Sequence, residues 1–456
     1  MTTPSEYARE HAQQFREQLY DLLRIQSVST DPAHTGDMRR AAEWIAADLR
    51  RIGATNVEIM ETGGHPVVYG DWRGAVGAPT VLVYGHYDVQ PATMAEGWTS
   101  DPFEPIERDG LMYARGSSDD KGQMFVHLKA LESYLATVGK CPVNLKFMIE
   151  GEEEIGSVHL GDFVRANKDR YQSDACVISD GGNYSETIPE ICSSVRGLTY
   201  MQLEVTGPSH DLHSGIDGGR VHNPALALAQ IIAQLHNEDN SVAVPGFYDD
   251  VVDLSAEERA ELARLDESES DFQQETGAPA SWGETGYTKL ERTVSRPTLE
   301  VNGLLSGFTG EGSKTVLPAK AMAKISCRLV ANQNPLVIYE LIKTYIEQIT
   351  PPTVRTELKL INKAFPALID THTPAMQAAV RATESTWDRA PLLIRSGGTL
   401  PIMADLQHDL GVEPITLNFG LHTDGLHGPD EHFSLELFHR GIETTIQFYA
   451  EMVKSK

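Results

Sequence analysis

Apolar and polar positions alternate in two ways along the first 200 residues of the chain. Short apolar runs, seen in TVLVYGHYDV, PVNLKFMIE and SDACVIS, are β-rich and predict strands. Apolar residues recur at helical spacing over Ser5–Ile25, over about Met38–Ile52 and in GQMFVHLKALESYLATVG, which predicts helices. Strands that alternate with helices indicate an α/β domain with a largely parallel sheet.

The pattern changes after residue 197. Two strand-like runs and an apolar helix, NPALALAQIIAQLHNE, precede a polar, acid-rich stretch, Ser255–Ser295, which predicts helices and loops. A strand–helix–strand layer follows, and the α/β pattern returns near Pro366. We therefore predict an α/β domain in two parts, residues 1–197 and 367–456, interrupted by a smaller α+β insertion, residues 198–366.

Length and charge narrow the classes of protein that fit. A chain of 456 residues exceeds one ordinary core, in keeping with two domains. Its 65 acidic and 38 basic residues give a formal net charge of −27, which opposes binding to nucleic acid or to an anionic membrane. The four cysteines are widely spaced, and the sequence shows no secretory leader and no membrane-spanning apolar run. We therefore predict a cytoplasmic protein.

Polar residues follow several predicted strands at the point where each strand ends. In open α/β sheets, binding sites form outside these carboxyl ends. The residues concerned are His86, Asp88, Asp119, Asp120, Glu152, Glu153, Glu154, Asp180 and His427. Each alone also fits a surface turn, a helix cap or a solvated acidic loop. Together they supply the nitrogen and oxygen donors of a two-metal hydrolytic site.

The pattern leaves the choice of histidine open, and it gives no sign of other catalytic motifs. His422 and His432 lie in the same Gly-rich loop as His427, and spacing does not choose among the three. The sequence has no GxSxG elbow and no catalytic-cysteine signature, and RSGGT lacks the Lys of a P-loop. A nucleophilic serine or cysteine mechanism and a P-loop nucleotide site are therefore not indicated.

A set of motifs in fixed order resembles the M20 metallopeptidase family, most closely its cytosolic nonspecific dipeptidase and carnosinase branch. The matching stretches are GHYDVQP, ARGSSDDKG, EGEEEIGS, VISD, DLHSGIDGG, KTVLPAKAMAKISCRLV, SGGTLPI and LHGPDEHF, and they span residues 85–433. The resemblance implies a zinc-peptidase-like catalytic domain with a mostly parallel sheet, and it makes the α+β insertion a lid or dimerisation domain.

The resemblance also implies a role for each residue at the strand ends. Two divalent ions, Zn²⁺ or Mn²⁺, would be bound, one by His86, Asp119 and Asp180 and the other by Asp119, Glu154 and His427. Asp88 would orient His86, and Glu153 would be the general base acting on a metal-bridging water. The peptide bond after Asp119 would be cis.

Further residues are implied to contact the substrate. His213 would stabilise the oxyanion, often from the partner subunit of a homodimer, and Arg328 would hold the substrate's carboxylate. Thr315 and Thr399 would make polar contacts. One departure from the family pattern is Asp430, where Asn is usual before Glu431; it bears on the charge beside the metal site.

The expected function is therefore that of a homodimeric di-metal dipeptidase acting on small peptides. An N-acyl-amino-acid amidohydrolase or a carboxypeptidase would use the same scaffold, and Arg328 suits any substrate with an α-carboxylate. A catalytically inactive binding protein is the alternative outside the enzymes, and the presence of Glu153 beside a full ligand set argues against it.

Overall fold

The computed structural model describes residues 2–265, 267–398 and 400–454, and its chain divides into two compact units. The first unit comprises Met1–Ser193, Ile369–Ile394 and Asp405–Lys456, and the second comprises Ser194–Leu368 and Arg395–Ala404. The limits 1–197, 198–366 and 367–456 stay a prediction about functional domains.

The secondary structure follows the chain in this order. The strands are β1 (Thr55–Met60), β2 (Val67–Trp72), β3 (Thr80–His86), β4 (Ile106–Arg108), β5 (Leu111–Tyr113), β6 (Asn144–Glu150), β7 (Ala175–Ile178), β8 (Gly182–Asn183), β9 (Glu190–Val195), β10 (Gly197–Thr206), β11 (Leu212–His213), β12 (Thr298–Ser306), β13 (Val316–Leu317), β14 (Lys320–Leu329), β15 (Arg355–Ala364), β16 (Ala367–Leu368), β17 (Leu392–Arg395), β18 (Pro414–Thr416), β19 (Gly420–Leu421) and β20 (His432–Ser434). The helices are α1 (Pro4–Glu10), α2 (Ala12–Leu23), α3 (Thr35–Ile52), α4 (Lys121–Val138), α5 (Leu160–Ala166), α6 (Lys168–Tyr171), α7 (Ser214–Asp217), α8 (Pro224–Ala233), α9 (Ala256–Leu265), α10 (Glu269–Thr276), α11 (Lys289–Val294), α12 (Pro335–Ile349), α13 (Pro374–Trp387), α14 (Pro401–Asp405) and α15 (Leu435–Met452).

A six-stranded sheet in the order β1-β2-β6-β3-β7-β18 is the centre of the first unit. β3 pairs in parallel with β6 and β7, and β7 pairs in parallel with β18, whereas β1 and β2 are antiparallel at the edge. Almost every residue of β3 and β6 is buried, as expected for strands covered on both faces. The parallel register brings the carboxyl ends of β3, β6 and β7 to one edge of the sheet.

Helices cover this sheet and complete the core. α4 is buried without a break from Lys121 to Tyr134, so it lies inside the unit, and its first residue follows Asp120 directly. α15 packs against α4, α13 and α1. Because α4 is buried from its first residue, its position also fixes the end of the loop that precedes it.

The predicted helix Ser5–Ile25 is divided in the structure into α1 and α2. The break lies at His11, where φ is −103° and ψ is 14°. The ring of His11 stacks on that of Tyr7 at 3.8 Å, and its Nδ1 lies 2.9 Å from the Tyr7 carbonyl oxygen. The backbone N–H of His11 still donates to the Tyr7 carbonyl at 3.0 Å, and the His11 carbonyl accepts from Phe15 at 2.9 Å. Because the apolar spacing continues across the break, the sequence does not reveal it.

The second unit contains an antiparallel sheet in the order β12-β14-β10-β15. Burial alternates along β10 and β14, so one face of the sheet lies on a core and the other does not. Helices α8 and α12 pack on the buried face. In neither unit does a described helix have the combined length and apolarity that crossing a bilayer requires.

Candidate metal centre

The carboxyl ends of the parallel strands carry the polar residues of the first unit. β3 ends at His86, β6 leads into a 3-10 turn at Glu153–Ile155, and Asp180 follows β7 after one intervening residue. Asp119 precedes α4, joined to Asp120 by a cis peptide bond as the family resemblance implies. His427 comes from the loop between β19 and β20.

Potential ligand atoms from these segments form two groups. His86, Asp119 and Asp180 make up the first, and Asp119, Glu154 and His427 make up the second. Within each group every ligand atom lies within 4.8 Å of the others. Asp119 belongs to both groups, so it is the residue through which they join.

The two carboxylate oxygens of Asp119 face different imidazoles. Oδ1 lies 3.1 Å from Nε2 of His86, and Oδ2 lies 3.1 Å from Nε2 of His427. Nε2 of His86 is 3.8 Å from Asp180, and Nε2 of His427 is 3.2 Å from Glu154. One carboxylate between two imidazoles, each with a further acid, is an arrangement suited to two cations that share a ligand.

The groups differ in their exposure to solvent. His86 is fully buried, whereas the side chain of His427 is 57% exposed. The difference lies in the imidazoles, because the carboxylates of Asp119, Glu154 and Asp180 are all largely buried. His427 is therefore the potential ligand that solvent reaches most readily.

Ionisation in the cluster reflects a high density of buried acids. Burial, together with the charges of Asp180 and Asp119, raises the pKa of Glu153 to about 9 despite the opposing charge of His86. Burial raises the pKa of Asp180 to about 7 in the same way. Such carboxylates require compensating positive charge to ionise together.

The imidazoles and the shared acid shift in the opposite sense. Hydrogen bonds to Asp119 and Glu154 raise the pKa of His427 to about 10. Burial opposes charge on His86, but Asp119 and Asp88 still raise its pKa well above the usual range. Burial would raise the pKa of Asp119, yet bonds from both imidazoles lower it. Protons on the two imidazoles thus supply the positive charge that the acids require. The same nitrogen and oxygen donors are suited to divalent cations, which would supply that charge when bound.

Asp88 joins the segment of His86 to the turn that carries Glu153 and Glu154. Nδ1 of His86 lies 3.0 Å from the carbonyl oxygen of Asp88 and 3.4 Å from its carboxylate. The carboxylate also accepts the backbone N–H groups of Glu153, at 3.2 Å, and Glu154, at 3.1 Å. Its oxygens therefore hold the turn, while the carbonyl is the closer partner of the imidazole and leaves Nε2 directed at Asp119.

If the cluster binds two ions and hydrolyses peptides, as the family resemblance implies, we expect Asp88→Asn to lower kcat at saturating metal by about 100-fold. An amide offers only one acceptor to the two N–H groups, and a small displacement of a reacting group has an effect of this size. The measurement is steady-state kinetics beside elemental analysis. Asp71→Asn is the matched control, since Asp71 is an equally buried carboxylate that Thr55 and Arg73 contact. Wild-type turnover in the Asp88 variant would contradict the anchoring role.

Three further side chains make hydrogen bonds near the cluster, and Gln90 is the one that the sequence pattern did not single out. The amide of Gln90 donates to Oε2 of Glu154 at 2.6 Å, and Asp120 accepts the backbone N–H of His86 at 3.1 Å. Asp430, the departure from the family pattern, accepts the backbone N–H and the hydroxyl of Thr99, each at 2.9 Å. Its charge is therefore used in a loop contact. Gln90 lies inside the motif GHYDVQP, and that position was the available signal.

The structure separates the three histidines that spacing left open. Nε2 of His422 lies 3.2 Å from Glu190, and Nδ1 of His432 lies 2.8 Å from the carbonyl oxygen of Asp430. Among the described residues, His427 is the one of the three that belongs to a group of potential ligands.

The remaining predicted residues belong to the second unit or lie outside the described residues. His213 ends β11, which pairs with β13, and the N–H of Ser214 donates to the carbonyl of Thr315 at 3.1 Å, so His213 and Thr315 are neighbours. Nδ1 of His213 accepts the N–H of Gly215 at 3.0 Å. Arg328 is half-buried on β14, opposite Leu198 of β10. Thr399 lies outside the described residues.

Comparison with known proteins gives consistent matches over nearly the whole chain. A sequence profile described as peptidase family M20/M25/M40 matches residues 82–453. The Cys-Gly metallodipeptidase of Schizosaccharomyces pombe is 30% identical over 96% of this chain and 95% of its own length. The Beta-Ala-His dipeptidase of Homo sapiens is 29% identical over 98% of this chain and 92% of its own length.

A solved structure extends the match to the fold. The M20 family metallo-carboxypeptidase of Sulfolobus solfataricus superimposes with a TM-score of 0.84 at 30% identity, over 97% of this chain and 99% of the other. The profile describes a peptidase family, and one of the relatives is named a metallodipeptidase. Both descriptions are consistent with two groups of potential metal ligands at the ends of the parallel strands. The chain therefore belongs to the peptidase family M20/M25/M40.

Proposed function

We propose that this protein is a di-metal dipeptidase that hydrolyses the peptide bond of small peptides. The observation that carries the proposal is the position of Asp119. Its Oδ1 lies 3.1 Å from Nε2 of His86, and its Oδ2 lies 3.1 Å from Nε2 of His427. Its relatives include two named dipeptidases that match nearly all of the chain.

The ions are proposed to be Zn²⁺ or Mn²⁺, held by the two groups with Asp119 in common. His86 and Asp180 complete the first position, and Glu154 and His427 complete the second. When bound, the two ions lower the pKa of a water molecule and polarise the scissile carbonyl. Imidazole and carboxylate ligands suit both metals, so the donor set alone does not choose between them.

Glu153 is proposed as the general base. Glu153 is adjacent to Glu154 but belongs to neither group of potential ligands. Its carboxylate is therefore not needed to bind an ion and can transfer a proton. Two backbone bonds to Asp88 hold the turn from which it projects. In the reaction Glu153 takes a proton from the attacking water and then delivers it to the leaving amine.

Residues of the second unit are proposed to bind the substrate. Because Nδ1 of His213 accepts a backbone N–H, its proton resides on Nε2, which is then a donor suited to a developing oxyanion. The guanidinium of Arg328 is proposed to bind the substrate's carboxylate, with Thr315 and Thr399 as polar contacts. We further propose a cytoplasmic homodimer in which the second unit is the lid and dimerisation domain.

A carboxypeptidase is the second candidate, favoured by the similarity to the enzyme of Sulfolobus solfataricus. Both candidates require a free carboxylate on the substrate, and they differ in the length of peptide accepted. An N-acyl-amino-acid amidohydrolase would need the same carboxylate without a free amino terminus. A panel of dipeptides, longer peptides and N-acyl amino acids separates all three by the product released.

We expect chelation to abolish hydrolysis, because without cations the acids of the cluster are partly protonated and no water is activated. Turnover of the panel is measured before dialysis against chelator, after it, and after addition of Zn²⁺, Mn²⁺ or Mg²⁺. Zn²⁺ or Mn²⁺ should restore activity, while Mg²⁺, which favours an all-oxygen shell, is the control. Undiminished turnover in protein that elemental analysis finds free of metal would sink the metal mechanism.

A further inference from the structure

A buried carboxylate outside both ligand groups holds the loop that carries Asp119. Glu431 is fully buried, and its Oε1 accepts the backbone N–H groups of Ser118, at 3.0 Å, and Asp119, at 3.1 Å. Its Oε2 accepts the N–H of Gly116 at 3.1 Å. Three backbone donors within residues 116–119 thus converge on a single side chain from the other end of the sequence.

The charge of Glu431 is balanced by Arg115, which is 2% exposed. Nη1 of Arg115 donates to Oε2 of Glu431 at 2.7 Å, and Nη2 donates to the carbonyl oxygen of Gly428 at 3.1 Å. Nη2 also lies 3.5 Å from the carbonyl oxygen of Pro91. Gly428 follows His427, and Pro91 ends the segment that begins with His86.

One guanidinium therefore contacts the backbone of two ligand-bearing segments, and through Glu431 it contacts the third. A planar fork with several fixed donors can link three segments in this way, whereas a single ammonium cannot. Among the described residues, neither Arg115 nor Glu431 belongs to a group of potential ligands.

We propose that the buried Arg115–Glu431 pair positions Asp119 and His427 and thereby sets the affinity of the shared centre for its two ions. The inference rests on the proposed di-metal function and deepens it. Both residues are positioning residues, since neither reaches the reacting atoms. Groups that orient metal ligands typically change affinity by about 10–100-fold when they are removed.

The alternative is that the pair only stabilises the fold, as buried ion pairs elsewhere do. The unit offers a matched control in Glu132, a buried carboxylate that Arg51 contacts at 2.7 Å and Lys129 at 2.9 Å. The cluster around Glu132 contacts neither the loop of Asp119 nor that of His427. Glu132→Gln therefore reports the effect of disturbing a buried ion pair alone.

The test measures the number and affinity of bound Zn²⁺ ions in full-length protein at buffered free Zn²⁺, beside the melting temperature of the ion-free protein. Arg115→Lys keeps the charge but cannot span Glu431 and Gly428, and Glu431→Gln keeps the shape but places an amide N–H₂ among donors. We expect each to weaken Zn²⁺ binding at least tenfold, with the ion-free melting temperature no lower than that of Glu132→Gln.

Wild-type affinity in both variants would overturn the inference, as would an equal loss of affinity in Glu132→Gln. If Glu431→Gln does not fold, the more conservative Arg115→Lys decides the matter. These outcomes remain distinct from failure of the proposed function: a wild-type protein that binds no Zn²⁺ refutes the metal centre itself, and one that binds two ions but cleaves no peptide refutes only the substrate.

Discussion

Asp119→Ala should remove both metal ions and reduce turnover by at least about 1,000-fold, more than the effect of removing a group that only orients a ligand. The reason is geometric, since Oδ1 faces His86 and Oδ2 faces His427. Removing this one side chain leaves two donors in each group, and two donors hold a divalent ion weakly compared with three.

Asp180→Ala is the matched comparison, because Asp180 belongs to the first group alone. Elemental analysis after dialysis should find no ion in the Asp119 variant and one in the Asp180 variant. Circular dichroism controls for loss of fold. Two ions retained in Asp119→Ala would refute its place as the shared ligand.

Glu153→Gln should lower kcat by about 100- to 10,000-fold with both ions retained, because general-base catalysis contributes a factor of that order. The amide keeps the size of the side chain and cannot accept the proton. Substrate affinity should change little, so the effect should fall on kcat.

The neighbouring Glu152→Gln serves as the control for Glu153. Glu152 is buried and accepts the backbone N–H of His65 at 3.1 Å and contacts the ring of His159, so it belongs to a loop contact. Near-normal turnover in the Glu152 variant with loss in the Glu153 variant supports the assignment within EGEEEIGS. The reverse result would transfer the role of base to Glu152.

The fold class could be predicted because strand and helix patterns repeat with different periods over most of the chain. The comparisons and the sheet order confirm an α/β fold with a mostly parallel central sheet. The break at His11 was missed, since the buried positions Ala8, Phe15 and Leu19 keep helical spacing across it. A local change of backbone angles leaves no trace in an apolar pattern.

The candidate site shows a similar division between what pattern reveals and what it does not. Residues at the ends of strands could be identified because a polar residue after an apolar run is conspicuous. The choice of His427 over His422 and His432 required the family resemblance, because all three share one loop. The two backbone contacts of Asp88 could not be foreseen, since every residue except proline has a backbone N–H and its presence carries no sequence signal.

The Arg115–Glu431 contact illustrates the same limit over a longer distance. More than 300 positions separate the two residues, which lie 2.7 Å apart. Each looks like an ordinary charged residue in its own motif, and only the folded chain shows that they are buried together.

The first unit is built from segments that lie on both sides of residues 194–368. β18 pairs with β7, and α15 packs on α4, so the last segment supplies part of the sheet and part of the core. It also supplies His427. A chain emerging from the ribosome therefore presents Asp119, Glu154 and Asp180 before their last partner exists. Core closure and completion of the donor set thus become one late event of biosynthesis.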